Sequence, residues 1–107
     1  LNVRDRKNLV IKLQHPKKPD YIQGRVTDIS MGGVAVEFNP QDAVFLDDNN
    51  QYARSQVKLY QSTIFADMKL VKHAEQQAAF QFTHLNPISR DVLAGFIYHT
   101  VQEVLSR

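Results

Sequence analysis

The sequence contains no cysteine and no tryptophan, and only four glycines and four prolines occur among its 107 residues. Without cysteine there is neither a disulfide framework nor a thiolate metal site, which fits a reducing compartment. No apolar run approaches the roughly 20 residues that a helix needs to cross a bilayer. No signal-peptide pattern opens the chain. We therefore expect neither a disulfide-stabilised scaffold nor direct insertion into a membrane.

The length of 107 residues is enough for one hydrophobic core but not for two. Hydrophobic residues at 43% and charged residues at 22% are typical of globular proteins. The chain starts at Leu1 rather than at a methionine. We interpret residues 1–107 as a single domain excised from a longer protein.

Charges of the two signs nearly balance, with 13 Lys and Arg against 11 Asp and Glu. The basic residues nevertheless cluster in the first quarter of the chain, at Arg4, Arg6, Lys7, Lys12, Lys17, Lys18 and Arg25. A basic N-terminal segment indicates a phosphate or an acidic lipid as partner. The alternative is a solvated charged surface, which charge alone favours.

Short segments with period-two hydrophobicity predict an antiparallel all-β core. The predicted strands are residues 8–14, 21–29, 33–38, 55–60, 63–72 and a last strand around 78–82. Gly24 is interpreted as a bulge or bend in the second strand. In the long irregular stretch after Phe38, residues 44–46 are expected to form an apolar loop or short strand against the core.

The end of the chain changes period and predicts an amphipathic helix over residues 87–106. Asn86 can cap this helix, and Pro87 suits its first position. Apolar residues then recur three and four positions apart, at Val92, Leu93, Phe96, Ile97, Val101, Val104 and Leu105. Six short strands remove their exposed edges by closing on themselves. We therefore expect a six-stranded antiparallel barrel over residues 9–83, preceded by a basic arm (residues 1–8), with the helix covering an open end or a seam.

Catalytic patterns are lacking. The four histidines are not spaced as metal ligands, and the serines have no nucleophile-elbow context. We expect no enzyme activity and no metal site, and a binding domain is the simpler interpretation.

The stretch Val26–Phe38, VTDISMGGVAVEF, carries the most specific signal. Asp28 and Ser30 stand two residues apart where the second strand ends, and Gly32 and Gly33 follow. A carboxylate and a hydroxyl can read the edge of a guanine, and glycines can supply positive φ and bare backbone for a ligand. The alternative is a turn in which both side chains bond their own backbone.

The segment DISMGG resembles the Asp/Asn-x-Ser-x-x-Gly signature of PilZ domains, matched by Asp28, Ser30 and Gly33. The order of strands, the AAFQF segment and the closing helix are similar to the family over nearly the whole chain. Ala79 stands where many members have glycine. The resemblance implies a PilZ-type six-stranded barrel in the bacterial cytoplasm that binds the second messenger cyclic di-GMP and regulates motility, attachment or exopolysaccharide production.

The family's second element, an N-terminal Arg-x-x-x-Arg, is incomplete. Arg4 has the spacing of the first arginine, but Asn8 stands in place of the second, while Arg6 and Lys7 add positive charge nearby. Three interpretations are open: Arg4 and Arg6 act in a shifted register, the site binds weakly, or the arm no longer binds the nucleotide. The ligand-binding residues that the resemblance implies are Arg4, Arg6, Lys7, Asn8, Asp28, Ser30, Gly32 and Gly33.

Three hypotheses for function follow. The leading one is a cyclic di-GMP switch that acts on a neighbouring domain or protein partner. The second is a PilZ-like interaction module that has lost nucleotide binding. The third is a basic barrel that binds single-stranded nucleic acid. The small net charge and the shared face of Val34, Phe38, Phe80 and Phe82 argue against a nucleic-acid polymer, because these side chains suit a core better than a stacking platform.

Overall fold

The computed structural model describes residues 1–6 and 8–106, and it shows six antiparallel strands in a closed barrel followed by a long helix. The elements are β1 (Val10–Gln14), β2 (Tyr21–Ile29), β3 (Gly33–Phe38), α1 (Pro40–Ala43), a 3₁₀ helix (Val44–Asp48), β4 (Gln51–Leu59), β5 (Ser62–Ala74), β6 (Gln77–Leu85) and α2 (Pro87–Leu105). The strand order around the barrel is β1-β2-β3-β6-β5-β4, and β4 closes onto β1. The predicted fold class is confirmed.

The barrel interior is filled by the inward-facing residues that the alternation predicted. Val34, Phe38 and Phe80 are at most 4% exposed, and the Phe38 and Phe80 rings meet edge to face at 6.2 Å between centroids. These aromatic side chains therefore belong to the core. They form no surface on which nucleic-acid bases could stack.

Several boundaries and local features differ from the sequence prediction. β1 starts at Val10 rather than at residue 8, while β4, β5 and β6 are all longer than predicted. Residues 44–46 lie in the 3₁₀ helix rather than in a loop or strand, and only Leu46 of the three is fully buried. Short helical turns carry too few residues to show a period, which explains the miss.

Gly24 is not a bulge. It pairs regularly with Ile11 and Phe38, and the register of β2 shifts later, between Val26 and Asp28. A Cβ on Gly24 would lie 2.5 Å from Val36 Cγ1 and 2.8 Å from the Phe38 ring. The glycine therefore makes room for core side chains.

Helix α2 covers a seam of the barrel. The Asn86 side chain accepts a hydrogen bond from the Ser89 backbone nitrogen at 2.7 Å, as the predicted cap requires. The first residues of β5, before Ala66, have no partner in β6. Among them, the Phe65 backbone N–H donates a hydrogen bond to Ser89 Oγ of α2 at 3.1 Å. Leu93 is fully buried beneath the helix.

The last turn of α2 is not packed on the barrel, whereas Ile97 packs against the core and Thr100 is buried. Val101, Val104 and Leu105, which the periodicity placed on the core-facing side, are 37%, 50% and 74% exposed. The helix therefore projects an apolar end beyond the strands. Within the described residues, no helix combines the length and hydrophobicity needed to cross a membrane.

Candidate functional site

A β-bulge brings Asp28 to the outer surface of the barrel. Val26 faces the core, and regular alternation would point Asp28 inward as well. The pairing between β2 and β3 shifts between these two residues and leaves Thr27 as the extra residue. Thr27 is buried, Asp28 pairs with Ala35 and is exposed, and Ile29 returns to the core. The bulge therefore re-aims the carboxylate toward solvent.

The turn after Asp28 is held by Ser30. The Ser30 backbone nitrogen donates to the Gly33 carbonyl at 2.9 Å, and Ser30 Oγ accepts from the Gly32 nitrogen at 3.2 Å. Ser30 thus bonds its own turn, as one of the two interpretations of the motif requires. Asp28 Oδ1 instead accepts a hydrogen bond from the backbone nitrogen of Leu1 at 3.2 Å.

The two glycines of the motif have different roles, and neither has positive φ, contrary to expectation. A Cβ on Gly33 would lie 2.1 Å from the carbonyl oxygen of Phe80, which no structure tolerates. A Cβ on Gly32 would meet only Ser30 Oγ at 3.8 Å. Gly33 is therefore required by the close approach of β6.

The N-terminal arm lies along the end of β2. The Val3 nitrogen donates to the Thr27 carbonyl at 3.0 Å, and the Ile29 nitrogen donates to the Leu1 carbonyl at 2.9 Å. Asn2 and Asp28 form an antiparallel bridge, and Val3 is fully buried. The arm is thus anchored beside the motif by backbone hydrogen bonds and by one core side chain.

A cavity of about 570 Å³ opens at this junction. Arg4, Asp28, Ser30 and Gly33 line it together, and Lys72 lines it from β5. This volume lies in the usual range of small-molecule sites. Four of the eight predicted site residues therefore meet in one place.

Arg6 points to another part of the molecule. Its Nη1 donates to Tyr60 Oη at 2.6 Å, and its Nη2 lies 3.3 Å from Glu103 Oε2 on α2. The hydrogen bond to Tyr60 and the negative charge of Glu103 raise the pKa of the Arg6 guanidinium above its ordinary value, against the opposing effect of desolvation. We call Arg6, Tyr60 and Glu103 the Arg6 clamp.

The remaining predicted residues that the structure describes do not line the cavity. Asn8 is exposed and, like Gly32, is absent from the described residues that line the cavity. Lys7 lies outside the described residues. Among the predicted arm residues that the structure describes, Arg4 is the one that lines the cavity.

Lys72 is the charged residue that sequence reasoning missed. The alternation of Ile64, Ala66, Met68 and Leu70 predicts that the next even position also points inward. The pairing of β5 with β6 shifts between Leu70 and Lys72, however, so Lys72 faces outward. No signal in the strand pattern marks this second bulge.

No cluster of three or more His, Asp or Glu side chains suited to a metal ion occurs in residues 1–6 and 8–106. The lining offers hydrogen bonds and charge: two basic side chains, one carboxylate, two hydroxyls and one side-chain amide. This combination suits a ligand with phosphate and hydrogen-bonding base edges.

The comparison with protein families decides what the chain is. The model of the PilZ domain family matches residues 2–99. The chain belongs to the PilZ family. The match spans the arm, the whole barrel and most of α2. No curated protein sequence matches this PilZ domain with significance.

Solved structures share the fold at low sequence identity. Apo MrkH from K. pneumonia superposes with a TM-score of 0.77 at 17% identity, over 99% of this PilZ domain and 52% of MrkH. The PilZ domain of YcgR from Escherichia coli, solved with c-di-GMP, gives 0.66 at 15% identity over 91% of this chain and 85% of that one. YcgR in complex with c-di-GMP gives 0.73 at 17% over 92% and 43%. The chain therefore spans about half the length of MrkH and less than half of this YcgR.

Proposed function

We propose that this PilZ domain is a receptor for cyclic di-GMP that binds in the cavity beside the β2–β3 turn. The observation that carries the proposal is the meeting of Arg4, Asp28 and Ser30 at one cavity wall. PilZ domains are binding and regulatory modules, and c-di-GMP is bound by the similar domain of YcgR. Occupancy would change the contact of the domain with a neighbouring domain or partner protein in the bacterial cytoplasm, and so regulate motility, attachment or exopolysaccharide production.

The chemistry assigns each residue a role. The Asp28 carboxylate accepts from the N–H donors of a guanine edge, and the Arg4 guanidinium contacts phosphate or a base face. Because Ser30 Oγ already bonds its own turn, it mainly fixes the rim on which Asp28 stands. Gly33 holds the turn against β6.

Isothermal titration calorimetry with cyclic di-GMP at low salt, on a chain that retains residues 1–8, tests the proposal. We expect saturable heat for the wild-type protein. Asp28→Ala and Arg4→Met should each weaken binding by roughly tenfold to a hundredfold, the worth of one charge-assisted contact. Asp20→Ala, which removes an exposed carboxylate in the turn after β1, is the control and should bind like the wild type.

Absence of heat with the wild-type protein would overturn the proposal. Unaltered affinity of Asp28→Ala would overturn the site while leaving the ligand in place.

A second candidate function is an interaction module without nucleotide. The Arg6 clamp favours this second function, because the Arg6 side chain contacts Tyr60 and, on α2, Glu103 rather than the cavity. The exposed apolar end of α2 would then carry the interface. A null titration together with a tight protein partner of the intact chain would support this alternative.

A further inference from the structure

Four neighbouring strands place Asp28, Ala35, Ala79 and Lys72 in a single row across the outer wall of the barrel. Asp28 pairs with Ala35, Ala35 pairs with Ala79, and Ala79 pairs with Lys72. Directly paired residues point to the same face of a sheet. All four residues line the cavity described above. The row therefore crosses the cavity from a carboxylate at one end to an ammonium at the other.

Both charged ends of the row depend on bulges. The register shift before Asp28 in β2 has a counterpart before Lys72 in β5, where Val71 is the extra residue. Without these two shifts, the regular alternation of each strand would point Asp28 and Lys72 into the barrel. Bulges re-aim side chains and are specific features of a structure rather than accidents. Two of them bring opposite charges to one surface.

The centre of the row is a flat floor formed by Ala35 and Ala79, which we call the alanine floor. Alanine is depleted in strands, where β-branched and aromatic residues fit better, so strand propensity does not account for two paired alanines. Both methyl groups are partly exposed at the cavity wall. A planar base or a sugar-phosphate ring can lie close to the strands here because no long side chain intervenes.

The ammonium of Lys72 is available to an anion. Its only carboxylate neighbour in the row is Asp28, three strand spacings or about 14 Å away between backbones. Among the described residues, no salt bridge involves Lys72 or the side chain of Arg4. The cavity thus holds two cations on different walls, while Asn8 offers no charge.

We propose that Lys72 is the second phosphate-binding cation of this site and fulfils the role that Asn8 cannot. The inference rests on the proposed nucleotide-binding function. The ligand lies over the alanine floor, with a guanine edge at Asp28 and phosphate oxygens contacted by Arg4 and Lys72. A lysine binds phosphate as a flexible point charge, whereas an arginine binds it in a planar fork. The site therefore recognises an anionic nucleotide by charge from two directions.

Calorimetry with cyclic di-GMP on a matched pair of variants tests the inference. Lys72→Met should weaken binding by roughly tenfold to a hundredfold, because it removes one charge-assisted contact. Lys72→Arg keeps the charge and should retain most of the affinity. Lys58→Met removes the same charge from the exposed side of β4, which neighbours β1 and β5, and should bind like the wild type.

A second variant tests the floor itself. Ala79→Leu should abolish binding because its side chain projects into the cavity, while its urea unfolding midpoint stays near that of the wild type. Wild-type binding that Lys72→Met leaves unchanged would overturn this inference alone, as would equal losses in Lys72→Met and Lys58→Met. Absence of wild-type binding would overturn the proposed function and this inference with it.

Discussion

Gly32 and Gly33 are adjacent in sequence yet stand in different surroundings. A Cβ added to Gly33 would overlap the Phe80 carbonyl. A Cβ added to Gly32 would face solvent and lie near only the Ser30 hydroxyl. A backbone carbonyl cannot rotate away as a side chain can. In this chain, Gly33 therefore serves the close approach of β3 and β6.

The same substitution at the two glycines separates these roles. Gly33→Ala should lower the free energy of unfolding by about 1–3 kcal/mol, because β3 and β6 must separate to admit the methyl group. Gly32→Ala should change it by less than about 0.5 kcal/mol. Urea denaturation followed by circular dichroism measures both. Equal stabilities of the two variants would contradict the assigned close approach.

At the residue scale, the sequence shows local chemistry but not which distant residues a side chain contacts. Asp28 was identified from its motif, and the shift of buried residues from Val26 to Ile29 is a visible phase change that marks the bulge. The Leu70–Lys72 shift has no such mark, because Val71 and Lys72 are both exposed. Arg6 was assigned to the site from charge, although Tyr60 and Glu103, far away in sequence, bind it instead.

Helix α2 is the element that the sequence specified best. Asn86 and Pro87 fixed its start, and its length agrees with the prediction to one residue at the end. The sequence did not reveal that the last turn of the helix leaves the barrel, because periodicity shows which residues share a face but not how far the packing partner extends. Val104 and Leu105 in that last turn are 50% and 74% exposed.

Gly95 lies inside this helix without a packing reason. A Cβ built there meets nothing within 4 Å, so no close approach to a strand requires this glycine. Gly95→Ala should raise stability by about 0.4–1 kcal/mol by reducing the freedom of the unfolded chain. Differential scanning calorimetry should show a melting temperature higher by a few degrees.

Gly24→Ala is the matched comparison for that helix variant. Its methyl group would collide with Val36 and Phe38 inside the barrel, so this change should lower the melting temperature. If Gly95→Ala were as destabilising as Gly24→Ala, the open surroundings assigned to Gly95 would be wrong.

At the scale of the whole molecule, the Arg6 clamp connects three distant parts of the chain. The arm, the β4–β5 turn at Tyr60 and the second half of α2 meet at one guanidinium, which lies 5.9 Å from the Tyr60 ring centroid. The Tyr60 ring in turn contacts Phe96 on α2, with 5.8 Å between centroids. Arg4 at the cavity is only two residues from Arg6, so the arm is held at the site and at the helix together.

Loosening the clamp should free the arm without unfolding the barrel. Tyr60→Phe combined with Glu103→Gln removes the hydroxyl that accepts from Arg6 Nη1 and the negative charge beside Arg6 Nη2, while the aromatic ring stays. The free energy of unfolding should change by less than about 1 kcal/mol, as is usual for exposed pairs. The Arg6 amide, which donates to the Val3 carbonyl at 2.9 Å, should exchange faster with deuterium. Glu75→Gln in the β5–β6 turn is the control, and unchanged exchange at Arg6 would refute the role of the clamp.

The position of the alanine floor on the outer wall of the barrel has a kinetic consequence. A ligand reaches Ala35 and Ala79 directly from solvent, and no strands need to part before it binds. The rates of binding and release would then depend on diffusional association and on dissociation, without a conformational step. For a dissociation constant of about 1 μM, an association rate constant of about 10⁷ M⁻¹ s⁻¹ gives a residence time of about 0.1 s. A receptor of the kind proposed above would follow changes in messenger concentration within a fraction of a second.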